Sequence, residues 1–105
     1  PLPRVDTSAS QATPSPNMAT TDLYELTAQA AAAAFNAPTG GTDGQVLTIR
    51  IKDNGTARGL TWDAAYRVVG VTLPTTTVVS KTLYVAGRWN GSDTVLDVLA
   101  VGQQA

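Results

Sequence analysis

The sequence predicts an all-β fold: a small antiparallel β-sandwich or jelly-roll-like domain with an extended N-terminal arm. Three observations lead there. From Gln45 to Lys52 the side chains alternate, with Leu47, Ile49 and Ile51 on one face and Thr48, Arg50 and Lys52 on the other, the period-two pattern of a half-buried strand. Asp53-Asn54-Gly55 and Asn90-Gly91-Ser92-Asp93 are strong turn signals, because Asn and Gly accept the backbone angles that tight turns require. Finally, turn clusters divide the chain into about six or seven short runs, the spacing of a sandwich or jelly roll.

Residues 1–21 read as the arm. Pro1, Pro3, Pro14 and Pro16 lie among Ser and Thr, with Leu2 and Val5 as apolar anchors. This composition favours extended conformations. The arm is open to two readings, a solvent-facing linker or a segment that pairs with a neighbouring subunit. Residues 22–105 form the β domain.

Residues 22–28 are the first candidate strand, with Tyr24, Leu26 and Ala28 on one face. The run Ala30 to Ala34 has high helix propensity, yet a helix this short is marginal alone. It is read as a strand or extended turn ending at Asn36-Ala37-Pro38-Thr39-Gly40-Gly41. Gln45–Lys52 and Ala57–Trp62 are expected to pair as a hairpin around Asp53-Asn54-Gly55. Asp63-Ala64-Ala65 interrupts the alternation as a bulge or single turn. Tyr66 to Thr72 is the next strand, and Leu73 to Thr77 a loop, since Pro74 has no amide hydrogen for a ladder. Lys81 to Trp89 alternates Leu83, Val85, Gly87 and Trp89 against Thr82, Tyr84, Ala86 and Arg88. Thr94 to Val101 completes a second hairpin. Its faces, Val95, Leu99 and Val101 against Leu96, Val98 and Ala100, are both apolar, which points to burial on both sides in the sandwich or at a subunit interface.

Composition narrows the chemistry. The chain has 105 residues, one small domain. It contains no His and no Cys, so the commonest general base, the commonest metal ligand and every thiol nucleophile are missing. Net charge is −1, which gives no field to draw in nucleic acid or an anionic membrane. No apolar run reaches transmembrane length, and export by a signal peptide is not expected. Charged residues are 14% of the chain, against roughly 25% in an average domain. Such a surface suits a protein held among other subunits, and it equally suits codon bias toward Ala, Gly, Thr and Val.

The remaining chemical candidates read as structural. Ser80 and Lys81 are adjacent, so on a strand they face opposite sides and form no dyad. Asp53, Asp63, Asp93 and Asp97 fall mostly in turns, where Asp bonds local backbone. Asp53-Asn54-Gly55 lacks the later ligands of a calcium loop, and Gly40-Gly41-Thr42-Asp43-Gly44 lacks the Lys of a phosphate loop. No catalytic residue, cofactor or metal is expected. Arg50, Lys52, Arg58 and Arg67 read as solvated or ion-paired strand-face residues. Trp89 shares the face of Leu83 and Val85 and is expected to be buried. Tyr84 and Arg88, on the opposite face, are the candidates for glycan contact.

The stretch Ile49-Arg50-Ile51-Lys52-Asp53-Asn54-Gly55-Thr56-Ala57-Arg58-Gly59-Leu60-Thr61-Trp62 resembles a module of structural proteins of tailed bacteriophages. So do Val71-Thr72-Leu73-Pro74-Thr75-Thr76-Thr77-Val78-Val79-Ser80-Lys81-Thr82-Leu83-Tyr84 and Asp97-Val98-Leu99-Ala100-Val101. The likeness runs from about Arg4 onward and lies in the wording of strands and turns rather than in a catalytic motif. Gly59 and Trp89 depart from it, standing where another side chain and Tyr are more usual. In that family the module often ends tail-fibre or other virion surface proteins.

The resemblance implies a non-enzymatic virion component, made in the bacterial host cytoplasm and placed on the particle surface. The module is expected to be the whole protein, with Pro1 as a mature N-terminus, which favours a capsid decoration or head-fibre subunit over a long fibre. Its expected partners are itself, as a homotrimer, and the major capsid protein or other virion proteins. Leu2, Val5, Leu96, Val98 and Ala100 are the expected subunit-interface residues. The alternative is the receptor-binding tip of a tail fibre or baseplate, contacting host-surface glycans through Tyr84 and Arg88.

Overall fold

The computed structural model describes residues 2–105; Pro1, and with it the expected mature N-terminus, lies outside them. Eight strands account for the regular structure: β1 Val5–Ser8, β2 Leu23–Gln29, β3 Ala33–Phe35, β4 Val46–Asp53, β5 Leu60–Trp62, β6 Tyr66–Val68, β7 Leu83–Asn90 and β8 Val95–Gln103. No helix occurs among the described residues, so the all-β class holds and the alanine run is indeed extended.

A six-stranded sheet has the order β1-β2-β4-β7-β8-β6, and β3 and β5 make a separate two-stranded sheet. The expectation of an antiparallel sheet is corrected. β1 with β2, β2 with β4, β3 with β5 and β6 with β8 are parallel, while β4–β7 and β7–β8 are antiparallel. Parallel neighbours need a long crossover between them. Residues 9–22 and 30–45, which carry the chain from β1 to β2 and from β2 to β4, supply it.

The expected hairpin at Asp53-Asn54-Gly55 does not form. Both edges of β4 are already taken by β2 and β7, and β5 pairs instead with β3. The turn itself is real, with Gly55 at φ +103°, but Asp53 redirects it. Its buried carboxylate accepts from Gly55 N at 3.1 Å, Ser80 N at 2.8 Å and Thr77 Oγ1 at 2.7 Å. The chain leaves the sheet held against the 77–80 loop rather than turning back along β4. The strand expected over Tyr66 to Thr72 is also shorter, ending at Val68. The second hairpin, β7–β8, forms as expected.

Alternation places the core. Leu47, Ile49 and Ile51 of β4, Leu83, Val85 and Trp89 of β7, Leu96 and Val98 of β8, and Tyr24 and Leu26 of β2 all point inward. Against them lie Phe35 of β3 and the partly buried Trp62 of β5, stacked with centroids 4.3 Å apart. Tyr24 and Tyr66 meet Phe35 edge-on at 6.5 and 6.2 Å, the offset geometry aromatic quadrupoles prefer. A register shift after Leu26 turns Gln29, rather than the expected Ala28, into the core.

The N-terminal segment is bound along its length to the chain's own strands. Beyond β1, the carbonyls of Ala9, Ala12, Pro14 and Pro16 accept from the amides of Ala28, Ala34, Asn36 and Thr39. Pro14, Pro16 and Met18 are buried, more than a Pro- and Ser-rich composition implies. Gln29, 0% exposed, clamps it. Its Oε1 accepts from Gln11 N at 3.0 Å, and its Nε2 donates to Gln11 O at 2.6 Å and Ala31 O at 3.0 Å. One side chain thus completes a ladder that a bulge would otherwise break. Gln29→Leu is expected to cost about 2–3 kcal/mol, since it removes three part-buried hydrogen bonds to the backbone of Gln11 and Ala31. Hydrogen exchange should accelerate at residues 9–13 before it does in β4.

Candidate functional site

The outer face of the six-stranded sheet carries the candidate site. The residues that alternate with the core on each strand point outward, and the strand register aligns them into rows. One row runs Val5, Leu23, Thr48, Ala86 and Ala100 across β1, β2, β4, β7 and β8. The next runs Thr7, Glu25, Arg50, Tyr84 and Gly102. The first is uncharged, and the exposed side chains of Val46 and Leu99 flank it.

A bulge sets the β8 end of the apolar row. Val98 faces Gly87 and Ala100 faces Ala86, so Leu99 is the extra residue and both Leu99 and Ala100 are exposed. Gly87 makes this approach of strands feasible: a Cβ there would sit 2.7 Å from the Asp97 carbonyl oxygen.

The second row is internally neutralised. Arg50 Nε donates to Glu25 Oε2 at 2.6 Å, Thr7 Oγ1 donates to Glu25 Oε1 at 3.3 Å, and Arg50 Nη1 donates to the Tyr84 hydroxyl at 3.3 Å. The guanidinium lies 5.9 Å from the Tyr84 ring centroid, within cation–π range. The Tyr84 hydroxyl and the Glu25 carboxylate hold Arg50 above its ordinary pKa. At the β1 end, Arg4 Nε and Nη2 donate to Asp22 at 3.1 and 3.0 Å, and the Arg4 guanidinium and backbone amide hold the Asp22 carboxyl well below the usual carboxylate range. Against the Arg4–Asp22 pair lies an open groove of about 750 Å³, walled also by Leu2, Leu23, Val46, Thr48 and Tyr84.

The sequence-based interface residues divide. Leu2, Val5 and Ala100 share this outer face, Val5 at its β1 end and Ala100 at its β8 end. Leu96 and Val98 do not. Both are 0% exposed, packed in the chain's own core, so the expectation that they meet another subunit is corrected. Apolarity on both faces of β8 had two sources, the core for one and the open sheet face for the other.

Tyr84 and Arg88 do share the outer face, and Tyr84 is 42% exposed. They stand four residues apart on β7, about 13 Å along the strand, too far to grip one sugar ring together. Arg88 pairs in register with Val46 and Asp97.

The acids that alternation could not place have local partners. Asp93 and Asp97 converge on Arg67, at 2.9 and 2.7 Å. Asp63 accepts from Ala65 N at 2.9 Å. Among the described residues no group of three or more acidic side chains is placed to hold a metal ion. No family model, curated protein or solved structure matches the chain.

Proposed function

We propose that this chain is a non-enzymatic structural protein of a bacteriophage virion, a surface decoration or fibre subunit that acts by oligomeric assembly on the particle. The observation that carries the reading is the uncharged row Val5, Leu23, Thr48, Ala86 and Ala100 on an open sheet face. An antiparallel or mixed sheet that faces only solvent normally shows polar residues there, and contiguous exposed apolar surface marks contact sites. The phage-like wording of the strands supports the same conclusion. On this reading the β3–β5 layer over the six-stranded sheet is a minimal sandwich, and the N-terminal segment is an arm folded back as its edge. The partners are further copies, as a homotrimer, and the major capsid protein or another virion protein. The place is the particle surface, reached after synthesis in the host cytoplasm.

The test is binding to phage particles that lack the protein. Purified chain should co-sediment with them at saturable stoichiometry. A folded chain that stays in the supernatant at every concentration would sink the reading.

The second reading, a receptor-binding tip for host-surface glycans, draws on the exposure of Tyr84, held by Arg50, with Arg88 on the same face. It expects signal on a glycan array that falls about tenfold or more in Tyr84→Ala, the loss of a stacking contact and a hydrogen bond. A blank array rejects it.

A further inference from the structure

We infer that the outer face of the six-stranded sheet is covered by another copy of this same chain, with the row from Val5 to Ala100 at the centre of the contact. This rests on the assembly reading in taking that face as the contact surface, and adds its occupant.

Shape is the first argument. The row grades from large to small: Val5 and Leu23 at the β1 end, Thr48 in the middle, Ala86 and Ala100 at the β8 end. A copy with its row reversed sets large residues over small ones and small under large. Such a surface is complementary to itself. A two-fold closes it as a pair, and a three-fold passes each large end to the next small end.

Charge is the second argument. An identical copy brings identical charges, so a self-contact tolerates only charges already compensated in place. Here Arg50 is bound to Glu25 and Arg4 to Asp22 within one chain. Arg88, exposed beside Ala86 on the same face, has no ion pair among the described residues, so charge is compensated along the Arg4 and Arg50 side of the row, and a self-contact leaves the Arg88 edge to solvent.

Area is the third. Five strands about 4.8 Å apart and three outward positions deep cover about 24 by 20 Å, and with side-chain relief on the order of 700 Å² accessible surface. Stable pairs bury roughly 800 Å² per partner, from about 600 Å² upward, so the whole face is of the size a stable pair uses.

The chain contains no Cys, so introduced thiols have no competitors. Val5 and Ala100 are separated within one chain by four strand spacings, about 19 Å, beyond the roughly 7 Å Cα limit of a disulfide. Val5→Cys mixed with Ala100→Cys is expected to form the mixed disulfide several-fold faster than Val5→Cys mixed with Val78→Cys, a site 47% exposed in the loop after β6. The double variant Val5→Cys/Ala100→Cys then reports the number of copies in the closed ring. Ala86→Asp is expected to turn a sedimenting oligomer into a monomer with an unchanged circular dichroism spectrum. If that variant fails to fold, the cross-linking rates decide alone. Equal rates for the two mixtures, or a wild-type chain that sediments as a monomer at every concentration, overturn the inference. A monomer that still binds particles overturns the self-contact and the homotrimer while leaving attachment to the particle intact. An oligomer that binds no particle does the reverse.

Discussion

Asp53→Ala is expected to destabilise the fold by about 3 kcal/mol, because the carboxylate takes three hydrogen bonds in a buried setting and bonds to a charged group contribute roughly 1.5–3 kcal/mol each before the loss is shared. For a domain of this length that is a fall in Tm of about 12–24 °C. The damage reaches beyond one turn. Asp53 ties the end of β4 to Ser80 N and Thr77 Oγ1, and Thr77 Oγ1 in turn accepts from Arg58 N at 2.9 Å. Releasing Asp53 frees the loop before β7 and the lead into β5 together.

The pH dependence has a definite sign. Burial pushes the Asp53 carboxyl up, but the hydrogen bonds from Ser80 N, Thr77 Oγ1 and Gly55 N outweigh it and leave the pKa below the ordinary value. A carboxyl depressed in the folded state stabilises the fold above its unfolded pKa, about 3.9, and that stabilisation is lost as pH falls through the folded value. Asp22 and Asp97 are also depressed, by their bonds to Arg4 and Arg67, and they share the acid limb. Urea denaturation of wild type and Asp53→Asn should therefore differ most near neutral pH and converge below about pH 4. A constant difference across that range would show that Asp53 acts through packing and not through its charge.

Phe35→Ala is the second large effect, expected at about 4 kcal/mol, the cost of removing a buried ring that the surroundings do not refill. Phe35 is 2% exposed and stacks on Trp62, with Tyr24 and Tyr66 edge-on. With Ala33, Leu60 and Trp62 it packs the short β3–β5 pair into the shared core. Total stabilities of small domains run about 5–15 kcal/mol, so the variant should melt near room temperature or fail to fold cooperatively. Calorimetry reads the change directly. A loss under about 1 kcal/mol would mean the layer collapses onto the gap, contrary to the packed arrangement described.

The strands themselves were legible because alternation is local. Leu47, Ile49 and Ile51 announce an inward face whatever lies beside them, and so do Leu83, Val85 and Trp89. Pairing was not legible. Asn54-Gly55 reads as a hairpin turn from neighbours alone, yet β2 and β7 occupy both edges of β4 and the turn leads elsewhere. Gln29 gave no signal either, since its role as a stand-in for backbone arises only where β2 bulges past β4 and residue 11 passes beside it. The bulge at Leu99 and Ala100 likewise shifts which β8 residues face out.

The candidate site shows the same division. Leu2 and Val5 stand out as the only apolar anchors of the N-terminal segment, and Ala100 because both faces of its strand are apolar; the three share the outer face. Leu96 and Val98 stand out on the same ground as Ala100 and lie in the core. Composition cannot separate the two, because an apolar side chain answers equally to its own core and to a neighbour's surface.

The sequence by itself determined an all-β chain, the inward faces of β4 and β7, the second hairpin and the absence of His and Cys chemistry, all of which depend on residue type and on neighbours within a few positions. Only the tertiary structure decided the parallel pairing, the destination of the chain after Asp53 and the alignment of Val5, Leu23, Thr48, Ala86 and Ala100 into one row. Those depend on register between strands far apart in sequence, and a slip of one residue sends every side chain to the opposite face.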